Sequence, residues 1–443
     1  MSLRIAMLAL AAIALPGSAL ANPADQFGLG ARIPAMGGAG AAAVDDTSAG
    51  YYNPAAIGRF ENIRIDFGYQ YARPDLEINE QNTEVDTSRG FAAGMGVPGR
   101  IGSVKIALAG TFFLPDRNYV RTRALNGGQP RFQLYDNKPQ RFIMAANLGL
   151  SFLDDRVAVG GGLTYMSGTK GDILLRGRVG FPDASDSELT QGLDIDVKTK
   201  PYAQAGALVK ATNWLNIGLT YRGEFELELE QTLDIRGSVG ARDQEAVVDN
   251  GFFTVDSLAN DHYQPMQVTL GAAAQVSPTV LLAFDLSYHR WSSFDNPATV
   301  IEIDLDVGQF NEDINITEAP AFPDPGFDDI VVPRLGIEWQ ALRSERIAVA
   351  VRGGYSYEPS PAPEQRDENN FVDNDKHTIS LGVGGSFRKL TEIIPLPFEL
   401  DAYFAFTMLP ERTHRKLSAA DPVGDYSANG SVLQLGLGSR WRF

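Results

Sequence analysis

The side chains best suited to chemistry are few. Four histidines are present (His262, His289, His377 and His414) and no cysteine, which removes thiol nucleophiles, disulfide frameworks and cysteine-based metal sites. Asp285, Ser287 and His289 supply the residue types of a hydrolytic triad. On one face of a strand, however, the aspartate and histidine would lie about 13 Å apart, too far to act together. They read better as the polar lining of an interior, and an outer-membrane lipid hydrolase is only an alternative. A Gly-x-x-x-x-Gly-Lys phosphate loop is lacking, and the carboxylates show no EF-hand spacing. No enzyme, cofactor or metal is therefore expected. What remains are groups for holding a ligand. Lys105, Lys170 and Arg352 could meet a carboxylate, with Arg141, Arg334 and Arg346 as further bases. Their competing role is a salt-bridge network with Asp285, Glu338, Glu399 and Asp401, because buried charge needs partners. Phe27, Phe113 and Met166 offer apolar contacts.

Strands must position these groups. Leu215, Ile217, Leu219, Tyr221, Phe225, Leu227 and Leu229 alternate with Asn216, Gly218, Thr220, Arg222 and a run of glutamates from 224 to 230. A helix would scatter that pattern over all its faces, whereas a strand separates it into an apolar and a wet surface. The same test gives fourteen strands, near 61–72, 90–98, 103–114, 140–153, 156–168, 192–210, 214–230, 263–276, 279–292, 331–341, 345–357, 377–388, 398–409 and 431–443. Short links such as Asp154-Asp155 and Ser277-Pro278 alternate with long ones such as 169–191 and 293–330. Short turns at one rim and long loops at the other predict an all-β, fourteen-stranded antiparallel transmembrane barrel over residues 61–443.

Composition and targeting agree. Beyond the amino-terminal segment no stretch approaches the ~20 apolar residues of a spanning helix. Arg4, the apolar run Ile5–Leu15 and Ala19-Leu20-Ala21 read as a signal peptide over residues 1–21, with Asn22 as the new terminus. The last strand alternates Leu433, Leu435, Leu437, Trp441 and Phe443 with polar residues and ends on an aromatic. Gram-negative outer membrane, in contact with its lipid and lipopolysaccharide, is the expected location. The formal charge of −17 argues against nucleic acid as a partner. Residues 295–329 hold ten acids and no lysine or arginine, so the predicted outer loops disfavour anions. Either divalent cations occupy them or the ligand is neutral, and plain solvated loops are the simpler reading of the acids.

Residues 22–60 do not alternate. They are rich in glycine and alanine and pass through Asp45-Asp46 to Tyr51-Tyr52-Asn53-Pro54-Ala55. A fourteen-stranded ring encloses more space than its own side chains fill, so this segment is expected inside as a plug. Small inward residues such as Ala107, Ala109, Ala145, Ala158 and Gly160 leave room for it.

Asp45 to Ala55, ending in Asn53-Pro54-Ala55, resembles the hatch motif of the FadL-type long-chain fatty acid transporters. Trp291-Ser292-Ser293-Phe294-Asp295, Tyr357-Glu358-Pro359-Ser360-Pro361-Ala362-Pro363, Asp375-Lys376-His377-Thr378-Ile379-Ser380-Leu381-Gly382 and Leu219-Thr220-Tyr221-Arg222 resemble further elements of that family in the same order. The resemblance implies a monomeric barrel for passive uptake of long-chain fatty acids or similar hydrophobic compounds. It also implies a ligand held in the lumen, a movable hatch, and sideways release at a distorted third strand. Pro115, at the end of the third strand, is a poor substitute for a kink within it. A general porin for polar solutes is the main alternative.

Overall fold

The structure is a computed structural model that describes residues 27–116, 129–136, 142–180, 188–240, 248–294, 300–306, 324–388 and 396–443. The expected signal peptide, residues 1–21, lies outside the described residues, as does Arg141. Fourteen strands form the wall: β1 (Arg64–Ile78), β2 (Ser88–Ile101), β3 (Val104–Pro115), β4 (Ile143–Phe152), β5 (Val157–Gly180), β6 (Glu188–Lys210) and β7 (Leu215–Arg222, resuming as Phe225–Gly240). They continue as β8 (Val248–Gln264, resuming as Met266–Ser277), β9 (Val280–Arg290), β10 (Ile330–Arg343), β11 (Ile347–Glu358), β12 (Lys376–Phe387), β13 (Phe398–His414) and β14 (Tyr426–Arg442). Each pairs antiparallel with the next, and β14 returns to β1 from Arg64↔Arg442 to Ile78↔Ala428, which closes the ring. The chain is an all-β antiparallel barrel.

The alternation that predicted the strands is the alternation of their environments. Leu108 and Leu437 are each 63% exposed on the outer face, while Ala107 and Ala109 beside Leu108 are buried within. Phe67, Leu219, Leu270, Leu335 and Leu381 extend the same outward apolar band. A soluble protein would not carry so much continuous apolar surface, but lipid covers it without penalty. Among the described residues no helix is long and apolar enough to cross a membrane.

The strands extend beyond their predicted ends on the long-loop side. Residues 169–180 continue β5, and 231–240 continue β7, where loops were expected. Above the membrane both faces of a hairpin meet water, so the apolar-polar alternation that marks a strand in lipid is lost. There the upper part of β7 leaves β6 and pairs in parallel with β5, from Gln231↔Gly171 to Gly240↔Gly180. A further strand, Val300–Asp306, joins the upper part of β8 within the predicted loop 293–330. The ladders of β3 with β2 and β4 run without a register shift, so β3 carries no kink.

Residues 27–60 lie inside the ring. Their short helical turns, Pro34–Met36, Ala49–Tyr52 and Pro54–Arg59, pack with the inward faces of β4, β5, β11 and β12. Phe27 is at the long-loop side and Phe60 at the short-turn side, so the segment crosses the lumen along its length.

Candidate functional site

Asn53 fixes the plug. Its side chain is fully buried, and its Oδ1 accepts from the Ala55 N–H at 3.0 Å, capping the turn that Pro54 begins. Asn and Pro are favoured in these two positions because one satisfies a free N–H and the other needs none. The Nδ2 donates to the carbonyl oxygens of Ala41 (2.6 Å) and of Ala207 on β6 (3.2 Å). One side chain thus joins two parts of the plug to the wall. The turn then presses backbone against backbone. A Cβ on Gly160 would sit 2.3 Å from the Pro54 oxygen, and one on Gly149 would sit 2.2 Å from the Gly58 nitrogen.

Other wall residues hold the plug by hydrogen bonds. The Asp285 Oδ2 accepts from the N–H groups of Gly40 (2.8 Å) and Ala41 (2.9 Å). Ser380 Oγ donates to the Ala35 carbonyl oxygen and accepts from the Gly37 N–H, at 3.1 and 3.0 Å. Gly37 has φ +65°, a conformation in which glycine closes a helical turn without strain. Arg222 donates to the Tyr51 carbonyl oxygen at 2.8 Å, with its guanidinium 4.0 Å from the Tyr51 ring centroid.

Below the plug, towards the short turns, lies an ion network around a cavity of about 320 Å³. Arg440 on β14 reaches Asp46 at 2.6 Å, Glu399 at 2.7 Å, Asp45 at 3.5 Å and Asp66 at 3.6 Å. Arg32 on the plug meets Glu338 at 2.9 Å and Asp45 at 3.1 Å. Arg352 meets Glu338 at 2.6 Å and Asp401 at 2.5 Å. Partial desolvation would raise the Asp45 carboxyl, whose side chain stays 54% exposed, but the guanidinium groups of Arg32, Arg440, Arg64 and Arg442 outweigh it and hold Asp45 well below the usual carboxylate range. A carboxyl whose pKa is lower with the plug seated than with it free stabilises the seated plug above its free pKa of about 3.9. That stabilisation is lost as pH falls through the lower, seated value. Protection of the plug from protease is therefore expected to be constant from neutral pH to about 5 and to decline below about 4. Limited proteolysis across that range measures it.

Above the plug, a cavity of about 160 Å³ is lined by Phe27, Tyr51, Tyr52, Tyr263, Trp291 and polar residues of the wall. It adjoins a buried aromatic cluster at the loop end of the barrel. There Phe294 lies 4.7 Å from Phe327 and 5.2 Å from Tyr263 between ring centroids, with Trp291 and Phe371 around them. The loops are tied at this level: the Asp375 carboxylate accepts from the Tyr357 hydroxyl at 2.8 Å and the Ser360 N–H at 2.9 Å.

The site residues expected from sequence separate into two groups. Phe27 lines the upper cavity, and Phe113 shares a small pocket with it. Phe113 and Met166 lie in one buried cluster with Leu29 of the plug and with Tyr202 and Phe225 of the wall. Lys105 and Arg352 stand apart from them. Lys105 is at the short-turn rim, bonded to Glu61 at 2.8 Å and Asp155 at 2.5 Å, and Arg352 belongs to the network below the plug. Alternation fixes which face a base occupies but not its height in the lumen, so both looked available. Arg346 is an exposed turn residue rather than an inward one. Lys170 is on β5, but its side chain lies outside the described residues. Asp285, Ser287, His289 and Arg334, read from sequence as interior residues, line the upper cavity, whereas sequence reasoning missed Arg32, Arg440 and Gln264. Position 440 falls on the inward face by alternation, yet its partners lie in the plug, nearly 400 residues earlier in the chain.

A closed barrel with an apolar outer face, a filled lumen and an apolar mouth defines an outer-membrane channel protein with an internal plug. The chain belongs to the family of outer membrane protein transport proteins (OMPP1/FadL/TodX), whose model matches residues 153–443, more than half of the chain. This is an outer-membrane family of transporters for hydrophobic compounds. Alkane uptake protein A of Marinobacter nauticus is 40% identical over 108 residues, which are 24% of this chain and 23% of that one. The chain thus matches about a quarter of that relative's length. A FadL homologue from Pseudomonas aeruginosa has the same fold at 14% identity, with a TM-score of 0.59, covering 97% of this chain and 98% of that chain. The toluene transporter TodX of P. putida is similar at 14% identity and a TM-score of 0.53, covering 94% and 99%.

Proposed function

We propose that this protein is a passive uptake channel for long-chain fatty acids or similar hydrophobic compounds. The ligand rests above the plug and leaves when the plug shifts. The observation that carries the reading is the aromatic cluster at the mouth, which leads to a cavity that ends on the plug. A hydrocarbon chain gains about 0.8 kcal/mol per CH₂ taken from water, so adsorption at the mouth is favourable without any energy source. The relatives named for uptake of alkanes and transport of toluene support hydrophobic cargo.

Sideways release is part of the proposal, at the seam between β6 and β7. Their ladder stops at Gln204↔Arg222, with one more bond from the Gly223 N–H to the Ala203 carbonyl oxygen at 2.8 Å. The upper cavity touches outward-facing Ala205 and Tyr221 as well as inward-facing Gln204 and Arg222. β3, unbroken, offers no such place.

Proteoliposomes test both parts. The wild-type protein is expected to take up a labelled alkane or fatty acid and to exclude sugars in a swelling assay. Rapid sugar entry without hydrophobic uptake would replace this reading with a general porin. The chain has no cysteine, so the pair Tyr202→Cys and Phe225→Cys, whose native rings lie 5.4 Å apart, can be cross-linked across the seam without competing thiols. Cross-linking is expected to cut hydrophobic uptake at least severalfold, with recovery on reduction. Unchanged uptake would remove the seam from the route and leave the channel itself standing.

A further inference from the structure

The upper cavity contains more unsatisfied polarity than a site for pure hydrocarbon requires. Gln264, Asp285, His289 and Trp291 all line it, and their exposures are 1%, 2%, 6% and 5%. Each carries at least one buried atom without a hydrogen-bond partner: both amide atoms of Gln264, Oδ1 of Asp285, Nε2 of His289 and Nε1 of Trp291. Leaving such a group unmade costs about 1–3 kcal/mol, so a cluster of four is not what an alkane site would select. The set mixes an obligate donor (the Trp291 N–H), an acceptor (the Asp285 oxygen) and two groups that serve either way.

Charge narrows the class of ligand. Arg222, Arg334 and Lys376 line the cavity, and they are matched by Asp285 and Glu358 on the same lining and by Asp373 behind Lys376. Three cations face three carboxylates, so the cavity offers no net attraction to an anion. A carboxylate head would also only accept hydrogen bonds, and it would approach Asp285 and Glu358. The sequence from 295 to 329, expected from its pattern to form an outer loop, is acid-rich and disfavours anions as well. A hydroxyl both donates and accepts, and it is neutral.

We infer that the upper cavity binds the uncharged, hydroxyl-type oxygen head of a long-chain hydrophobe, with Gln264, His289 and Trp291 as the recognising side chains. This rests on the channel reading above and specifies its ligand. At about 160 Å³ the cavity holds the volume of about five waters at roughly 30 Å³ each, enough for a head group and the first carbons. The rest of the chain then lies against the adjoining aromatic rings of Tyr263 and Phe27.

The test is equilibrium binding of a radiolabelled alkane, alkan-1-ol and alkanoate of one chain length to the full-length protein in nanodiscs, corrected with empty nanodiscs. The alcohol is expected to bind about tenfold more tightly than the alkane, about 1.4 kcal/mol, and also more tightly than the alkanoate. In Gln264→Leu/His289→Leu the preference over alkane is expected to fall to about twofold or less while alkane binding persists, which also shows that the variant is folded. Trp291→Phe, which keeps a ring and removes one N–H, is expected to lose part of the preference. Equal binding of all three ligands would overturn the inference, because the polar atoms would then serve only water, and the channel reading would stand. First rank for the alkanoate would overturn it in favour of Arg222 and Arg334 as an anion site. Binding of none would overturn both readings.

Discussion

Replacing Arg440 by methionine is expected to unlatch the plug and leave the barrel standing. Arg440 is 5% exposed and is shared by four carboxylates, two on the plug and two on the wall. Methionine keeps much of the side chain's bulk and removes all the charge. Asp45 still has Arg32, and Glu399 still has Arg442 at 2.9 Å. Asp46 and Asp66 have no other ion pair among the described residues. Breaking a buried pair from one side costs about 3–5 kcal/mol, because the remaining charge stays buried without compensation. Displacing the plug relieves that cost, since water then reaches Asp46. The backbone ladder of β14 does not depend on the side chain, so the barrel persists. Planar-bilayer recordings are expected to change from a closed or rarely opening channel to frequent, large openings, with sugar influx in proteoliposomes. Arg440→Lys, which keeps a charge but loses the planar fork, is expected to lie between. Wild-type conductance in Arg440→Met would show that the network does not hold the plug.

Gly160→Val is expected to give the same open phenotype by sterics alone. The valine Cβ would lie 2.3 Å from the Pro54 oxygen, 2.4 Å from its carbonyl carbon and 2.7 Å from the Ala55 nitrogen. All three are backbone atoms, so no rotamer change relieves the overlap. Asn53, bonded to β6 one residue earlier, prevents a small local shift. Overpacking a tight interior costs about 1–3 kcal/mol when side chains can adjust, and more is expected against fixed backbone. The two available responses are a distorted wall or an expelled plug, and the plug has no covalent closure. Gly110→Ala, whose added carbon would meet nothing closer than the Ala145 oxygen at 3.9 Å, is the control and is expected to behave as wild type. Tryptic susceptibility of the plug at Arg32 or Arg59, compared across the three proteins, separates the outcomes. A Gly160→Val protein with a protected plug would show that the wall yields first.

Most of the architecture was legible because lipid and lumen impose opposite demands on neighbouring residues. Leu215, Ile217, Leu219 and Tyr221 point to one side, and Gly218, Thr220 and Arg222 to the other. That contrast marks a strand wherever the wall crosses the membrane. It disappears at residues 169–180 and 231–240, where water bathes both faces, and the strands continue there unseen. The Asn53-Pro54-Ala55 motif was recognisable, but its work was not. Its cap depends on local sequence, whereas its bond to Ala207 depends on where β6 stands. Ser380 is a similar case, a strand residue whose partner carbonyl belongs to Ala35. The bases show the limit most plainly. Lys105, Arg352 and Arg334 share the same inward signature, yet one pairs at the rim, one lies under the plug and one lines the cavity above it. Height within a barrel is set by stagger between strands and by what fills the lumen, and neither is a property of local sequence.

The contacts of Asp46 and Thr47 bear on how the ring finds its register. Asp66 on β1 and Arg440 on β14 are directly opposed in the closing ladder. The plug touches both, Asp46 accepting from Arg440 at 2.6 Å and Thr47 donating its N–H to Asp66 at 2.7 Å. Slipping the final pairing by two residues would preserve inward and outward faces, and so would escape detection by lipid or lumen. In the direction that brings Gly438 opposite Asp66, it would withdraw the guanidinium from Asp46; in the other direction Arg442 would come opposite Asp66 in place of Arg440. The segment that precedes the barrel in the chain therefore bears on its last join, favouring the closure that sets Arg440 level with Asp66 and Asp46 over a slip that would bring Gly438 there.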